Sequence, residues 1–191
     1  MTNVEGVYAV GDINGKALFR HAANYQQASV MAQFASVASG VSWKTVHTFG
    51  EALGLDRQLD PCPSAIFTHP TIAYLGMRES DLTSPYVKSV LWFKNHDRGI
   101  AIMPKTGFVK VLVCAESGRL LGIHCLGTDA DVLVHSLTPY LWAKTPVEEI
   151  LTSGTTVHPT LSEVCRNVLF DARKQLLDLG RAMDPLARYM A

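Results

Sequence analysis

Two apolar runs, Phe108 to Cys114 and Leu120 to Leu126, stand on either side of the link Ala115-Glu116-Ser117-Gly118. The runs are rich in Val and Leu, and the link ends in a glycine that can take a turn conformation other residues adopt only at a cost. This pattern predicts an antiparallel hairpin, and it constrains the fold more than any other feature of the chain. Strand-like stretches come before it, at Ser64 to Gly76 and Tyr86 to Lys94, with a short helix expected at Arg78 to Leu82. Helices come after it. One opens at Asp129, places Leu133, Leu137 and Leu141 on one stripe, and is expected to kink at Pro139. The last starts after Pro159 and carries Leu161, Val164, Cys165, Val168, Leu169, Ala172, Leu176 and Leu179 at three- and four-residue steps. Gly180 is placed to end it. Strands first and helices afterwards imply an α+β fold, an antiparallel β-sheet with helices packed on one face.

Pro61-Cys62-Pro63 marks a boundary and divides the chain into 1–60 and 61–191. In the first part, Glu5 to Val10 is a strand-like run that stops at Gly11-Asp12. Leu18 to about Gly40 is Ala-rich and helix-compatible, and Val41 to Asp60 has a mixed pattern.

Composition excludes several function classes. With 48% hydrophobic and 18% charged residues the chain can bury a core, and no apolar run approaches the roughly 20 residues that span a bilayer. Lys+Arg and Asp+Glu are both 17 and form no blocks, so no electrostatic case exists for nucleic acid or an anionic membrane. The opening residues Met1 to Glu5 lack the basic flank and apolar stretch of a secretory signal, so the expectation is a cytoplasmic chain, or the cut-down core of something imported. Cys62, Cys114, Cys125 and Cys165 form no C-x-x-C pair and no zinc-ligand spacing, and all four are read as structural. No two of the 14 glycines lie two positions apart, so the G-x-G-x-x-G turn that cradles a dinucleotide pyrophosphate is absent. His21, His47, His96, His124 and His135 show no pairing that suggests metal ligands. Trp92, Phe93 and Trp142 are expected in a core or interface.

The segment His158-Pro159-Thr160-Leu161-Ser162-Glu163 carries the chemistry. It sets an imidazole and a carboxylate five residues apart, across a proline that can open a helix. A histidine held by a carboxylate is a proton-transfer device that works near neutral pH. His69 begins a second His-Pro-Thr tripeptide, but no carboxylate follows five positions on, and it is read as an ordinary loop residue.

The hexapeptide resembles the active-site signature of the FAD-dependent pyridine nucleotide–disulfide oxidoreductases, dihydrolipoamide dehydrogenase especially. Val7-Tyr8-Ala9-Val10-Gly11-Asp12 resembles their second FAD-contact motif. Ala65 to Pro70, Ile72 to Gly76, Lys110 to Val113, Gly118 to Gly122 and Gly127 resemble the opening and central hairpin of their dimerisation domain. The markers occur in family order over nearly the whole chain. The resemblance implies a dimerisation-domain fold preceded by a remnant of the FAD-binding domain, and a homodimer in which His158 and Glu163 complete the partner subunit's active site. It implies Asp12 as the contact to the flavin ribitol, and Leu18 and Phe19 at the start of a helix aimed at the flavin. FAD and NAD(P) are implied for the complete enzyme, whose missing FAD/NAD-binding portion could be a separate chain. This chain alone is expected to bind neither.

Departures from the family pattern bear on substrate. Phe19 to Gln26 lacks the acidic residue and glycine common in dihydrolipoamide dehydrogenases and is closer to reductases of low-molecular-weight thiol disulfides. Thr71 replaces a frequent acidic residue, and Pro139 interrupts a usually clean helix. The histidine argues against the mercuric reductase branch. Two classes remain open: part of a flavin disulfide oxidoreductase, as a cut-down chain or split subunit, or a stand-alone dimerising module that keeps the fold without the chemistry. Glu163 favours the first.

The purified 191-residue chain is expected to be colourless and without NAD(P)H-dependent disulfide reductase activity, since it has no G-x-G turn and no close cysteine pair. Its visible absorption spectrum checks this, and a stoichiometric flavin band would contradict it.

Overall fold

The hairpin expected from the sequence forms, and a sheet is built around it. The computed structural model describes residues 2–4, 6–41, 61–102 and 106–180. Its strands are β1 (Ser64–Ile66), β2 (Ile72–Gly76), β3 (Tyr86–Trp92), β4 (Phe108–Cys114) and β5 (Leu120–Leu126). They make one sheet of order β1-β2-β5-β4-β3, antiparallel throughout. At the hairpin turn the Gly118 amide donates to the Cys114 carbonyl at 2.9 Å, and Gly118 sits at φ 64°, where a Cβ would be strained. Gly122 has a different reason: β5 passes so close to the Met77 carbonyl that a Cβ there would collide with it.

The described helices are α1 (Arg20–Ala38), α2 (Asp97–Ile102), α3 (Ala130–Trp142), α4 (Val147–Thr152) and α5 (Ser162–Asp178). The period-two alternation of the strands turns Ala73, Leu75, Val87, Val109, Val111, Ile123 and Cys125 to one side, where they are buried. α3 lies against β2 and β5, and α5 against β3 and β4. α5 delivers Val164, Val168, Leu169, Ala172 and Leu176 to this core. Ser89 donates to Asp171 at 2.6 Å, and Gln175 donates to the Lys88 carbonyl at 3.1 Å, which fixes the helix along β3. The fold is α+β, with helices on one face of an antiparallel sheet.

The chain divides into two compact units, Met1–Cys62 and Pro63–Ala191. In the first, the strand expected up to Val10 does not form. Val7 to Val10 is irregular, and a 3₁₀ turn follows at Gly11–Asn14. A strand needs a neighbour for its backbone groups, and the described residues of this unit contain no other strand. Side chains of α1 serve instead: Gln26 Oε1 accepts from the Gly11 amide at 2.7 Å and from Asn14 Nδ2 at 2.8 Å. The mixed stretch after Val41 falls on 42–60, outside the described residues.

Other expectations are refined. Ser64 to Gly76 is two strands rather than one, broken at the loop that holds His69. The strand from Tyr86 stops at Trp92, because Phe93 turns inward and packs its ring against Gly107 and Gly127. The short turn after Arg78 is a 3₁₀ helix at Glu79–Asp81. Pro139 lies inside α3 and has no N–H for the carbonyl one turn back. Phe93 is fully buried, whereas Trp92 and Trp142 are partly exposed. Leu179 drops out of the apolar stripe, since it caps α5 and is 57% exposed. The helices α2 and α4 had no sequence signal strong enough to find them.

The contrast along α5 gives a test. Leu169 is 1% exposed, so Leu169→Ala is expected to cost about 2–5 kcal/mol, whereas Leu179→Ala should stay within about 0.5 kcal/mol. Urea unfolding of the two variants beside the parent chain measures both, and equal losses would contradict the packing described.

Candidate active site

The chain leaves α4 at Thr152, crosses an exposed loop and enters α5 at Ser162, with Pro159 just before the first turn. The loop is braced where Thr160 Oγ1 donates to the Val157 carbonyl at 2.7 Å. His158 stands on this loop with its side chain 63% exposed, and Glu163 lies in the first turn of α5 with its side chain 17% exposed. An acidic residue in a helix's first turn meets the positive end of the dipole, so the backbone itself favours the ionised carboxylate there.

The two side chains meet. His158 Nδ1 lies 3.2 Å from Glu163 Oε1 and 3.1 Å from Oε2. The Thr160 amide donates to Oε2 at 3.1 Å. A third nitrogen approaches the same oxygen: His96 Nε2, from the turn after β3, is 3.9 Å away. The Thr160 amide foremost, and then the two imidazoles, hold the Glu163 carboxyl below the usual carboxylate range, outweighing its partial burial. With Nδ1 engaged by the carboxylate, His158 keeps its proton there when neutral, and Nε2 is the basic nitrogen.

The other candidate residues lie in the first unit. Asp12 sits in the 3₁₀ turn, exposed, and its carboxylate makes no side-chain hydrogen bond among the described residues. Leu18 is exposed. Phe19 precedes α1, caps it with no side chain, and stacks on the His21 ring at 5.3 Å. The N-cap position of α1 thus carries no side-chain oxygen, since Phe19 occupies it.

The remaining titratable groups do different work. His69 is exposed, on a loop where Thr68 Oγ1 donates to the Pro70 carbonyl at 2.7 Å. Burial pushes the Cys125 and Cys165 thiols up, Cys165 to about 11, which disfavours their thiolates. No group of three or more metal-ligating side chains exists among the described residues, and none of their helices is long and apolar enough to cross a membrane. His96 is the residue that sequence reasoning missed. Its contact to Glu163 bridges a long stretch of chain, and no spacing rule relates a turn after a strand to the start of a distant helix.

The family described as pyridine nucleotide-disulphide oxidoreductase, dimerisation domain, matches residues 62–169. The chain is 29% identical over 177 residues to a dihydrolipoyl dehydrogenase of Mycoplasma pneumoniae, covering 89% of this chain and 35% of that protein. It is 29% identical over 180 residues to a soluble pyridine nucleotide transhydrogenase of Stutzerimonas stutzeri, covering 92% of this chain and 35% of that protein. The chain thus spans about a third of the length of the curated relatives it matches. Among solved structures, LpdA from Mycobacterium tuberculosis superposes with a TM-score of 0.66 at 20% identity, over 87% of this chain and 33% of LpdA. The HOCl-induced flavoprotein disulfide reductase RclA from Escherichia coli, in its Cu(II) complex, superposes with a TM-score of 0.65 at 19% identity, over 88% of this chain and 35% of RclA. These likenesses show the fold.

The state of Glu163 has a consequence for stability. A carboxyl held low in the folded chain contributes stability above its unfolded value of about 4.3, and loses it as pH falls through the lowered value. Urea unfolding between about pH 6 and about pH 3 should therefore show the parent chain's advantage over Glu163→Gln shrinking in acid. A gap constant with pH would mean the carboxylate contributes nothing as an ion.

Proposed function

The chain belongs to the pyridine nucleotide–disulphide oxidoreductase family through its dimerisation domain, and from that premise we propose that it supplies His158 and Glu163 as an acid/base pair to a disulfide site on a second copy of the complete enzyme. The observation that carries this is the exposed imidazole whose Nδ1 is held by Glu163 at 3.1 Å, which leaves Nε2 free to exchange a proton with a group outside this unit. Residues 61–191 are then the dimerisation domain, and 1–60 a remnant of the FAD-binding domain.

In this reading Nε2 of His158 takes the proton from a thiol as the thiolate forms, and returns it when a thiol leaves. Glu163 fixes the ring tautomer and stabilises the imidazolium, and it can do so at every stage because the Thr160 amide keeps it ionised. The thiols in this reading are those of the second copy's disulfide site, and burial keeps Cys125 and Cys165 of this unit protonated. The exposed Asp12 carboxylate suits sugar hydroxyls, and the positive end of the α1 dipole suits an electron-rich ring edge. Asp12 would hold the flavin ribitol, with Leu18 and Phe19 beside the ring. FAD, when bound, supplies the two-electron relay between NAD(P)H and the disulfide. Phe19 to Gln26 resembles the reductases of low-molecular-weight thiol disulfides somewhat more than dihydrolipoamide dehydrogenases, which makes such a disulfide the alternative substrate. The partners are a second copy and the FAD/NAD-binding portion, whether on the same chain or a separate one, and the compartment is cytoplasmic. A stand-alone dimerising module would gain stability from Glu163 but would have no use for the exposed imidazole it holds.

His158→Gln in the complete enzyme keeps the size of the side chain and some hydrogen bonding but removes proton transfer near neutral pH. Disulfide turnover is expected to fall by roughly 10²–10⁴-fold while flavin reduction by NAD(P)H is largely spared. His69→Gln should leave turnover near normal. Stopped-flow and steady-state assays separate the two half-reactions, and equal effects from both substitutions would overturn the assignment.

A further inference from the structure

His96 is 7% exposed, in the turn between β3 and α2, and belongs to no part of the acid/base pair. Its backbone is fixed at both sides: the His96 amide donates to the Phe93 carbonyl at 3.0 Å, and its own carbonyl accepts from the Ile100 amide at 2.8 Å. Phe93, three residues earlier, is fully buried, which anchors the turn to the core. The imidazole is thus held by the fold, not by a flexible loop.

The ring's two nitrogens have different surroundings. Nδ1 is buried and has no hydrogen-bond partner among the described residues, while Nε2 is 3.9 Å from Glu163 Oε2. A buried N–H donor without a partner is costly, so the ring's proton belongs on Nε2, where it faces a carboxylate. At 3.9 Å this is longer than a hydrogen bond, and the attraction is electrostatic. Oε2 is the oxygen that also meets Thr160 N and His158 Nδ1, so three nitrogens converge on one atom. Two of them come from the segment around the carboxylate itself. His96 alone reaches it from a separate element, backed by the sheet. The charged groups next to it in sequence, Lys94 and Asp97, are exposed, and Glu163 is the charged group facing it from α5.

We propose that His96 is a positioning residue: its Nε2–H biases the Glu163 carboxylate to the side-chain orientation that holds His158 with its proton on Nδ1. This rests on the acid/base reading of His158 for its functional meaning, but its geometry can be tested without any chemistry. The consequence is that the tautomer of the exposed imidazole depends on a buried imidazole that faces the same carboxylate oxygen.

Nitrogen-15 NMR of the histidine rings in the full 191-residue chain, at a pH where both rings are neutral, reads the tautomers directly. In the parent chain His96 is expected with its proton on Nε2 and His158 mainly on Nδ1. His96→Phe keeps a ring in the pocket but removes the donor, and should lower the ratio of Nδ1–H to Nε2–H forms of His158 by about three- to tenfold, the factor the His158–Glu163 hydrogen bond carries when the carboxylate leaves its orientation. His96→Gln restores an N–H near the position of Nε2 and should keep the ratio within about twofold of the parent. An unchanged ratio in His96→Phe, or an equal loss in His96→Gln, would overturn the proposal. The parent chain decides the matter if the variants fail to fold, because a His96 proton on Nδ1 overturns it and one on Nε2 upholds it. Turnover of His158→Gln in the complete enzyme fails or succeeds independently, so an error in the functional reading is distinguishable from an error in this one.

Discussion

The packing of α5 on the sheet is the contact from which the candidate site takes its geometry. Val164, Val168, Leu169, Ala172 and Leu176 are all buried in the core beneath β3 and β4. Each large aliphatic side chain so placed contributes about 1.5–3 kcal/mol relative to exposure, an upper estimate because unfolded chains already bury some of this surface. The Ser89–Asp171 and Gln175–Lys88 bonds then fix how the helix lies along β3. Glu163 occupies the first turn, one residue before the buried Val164, so the sheet determines where its carboxylate stands. His158 has no such anchor. Its ring is exposed on a loop, and the carboxylate locates it.

The electrostatics of Glu163 differ from those of Glu79, another acidic group with several partners. Glu79 is held down to about 2 by Lys110 and then Lys88, two cations at 2.7 and 2.9 Å on the face of the sheet opposite the helices. On that face burial foremost, with Lys110 beside it, pushes His124 down to about 4, so this imidazole stays neutral beside a cation. Glu163 depends first on a backbone amide, which does not titrate. Its ionisation therefore persists whether His158 is protonated or not. An acid/base residue needs that arrangement, because a carboxylate that gained or lost its own proton in step with the imidazole would blunt the exchange.

The sheet, α3 and α5 were legible in the sequence because each rests on a local pattern: Val- and Leu-rich runs in β4 and β5, a glycine at the turn, and apolar stripes at helical steps in α3 and α5. The departures come from longer range. Gly6 to Val10 has strand composition but no strand to pair with among the described residues, and propensity alone does not make a strand. Phe93 ends β3 because Gly107 and Gly127, distant in sequence, leave room for its ring. The spacing of His158 and Glu163 was visible, whereas His96 was not, since its approach to Glu163 exists only once β3, α2 and α5 are assembled.

The two His-Pro-Thr tripeptides show how far identical local sequence can diverge. After Thr160 the chain turns into α5, where the Glu163 amide donates to the Thr160 carbonyl at 3.2 Å, and this folds the fifth residue back onto the histidine. After Thr71 the chain extends into β2, where each residue advances about 3.3 Å, so the fifth residue after His69 is carried away from it. That residue is Tyr74, paired in the sheet with His124. Even a glutamate at this position would project from the sheet, out of reach of His69. The tripeptide therefore meets a carboxylate only where a helix follows it, and the helix follows at 162 because its apolar stripe has a sheet to cover.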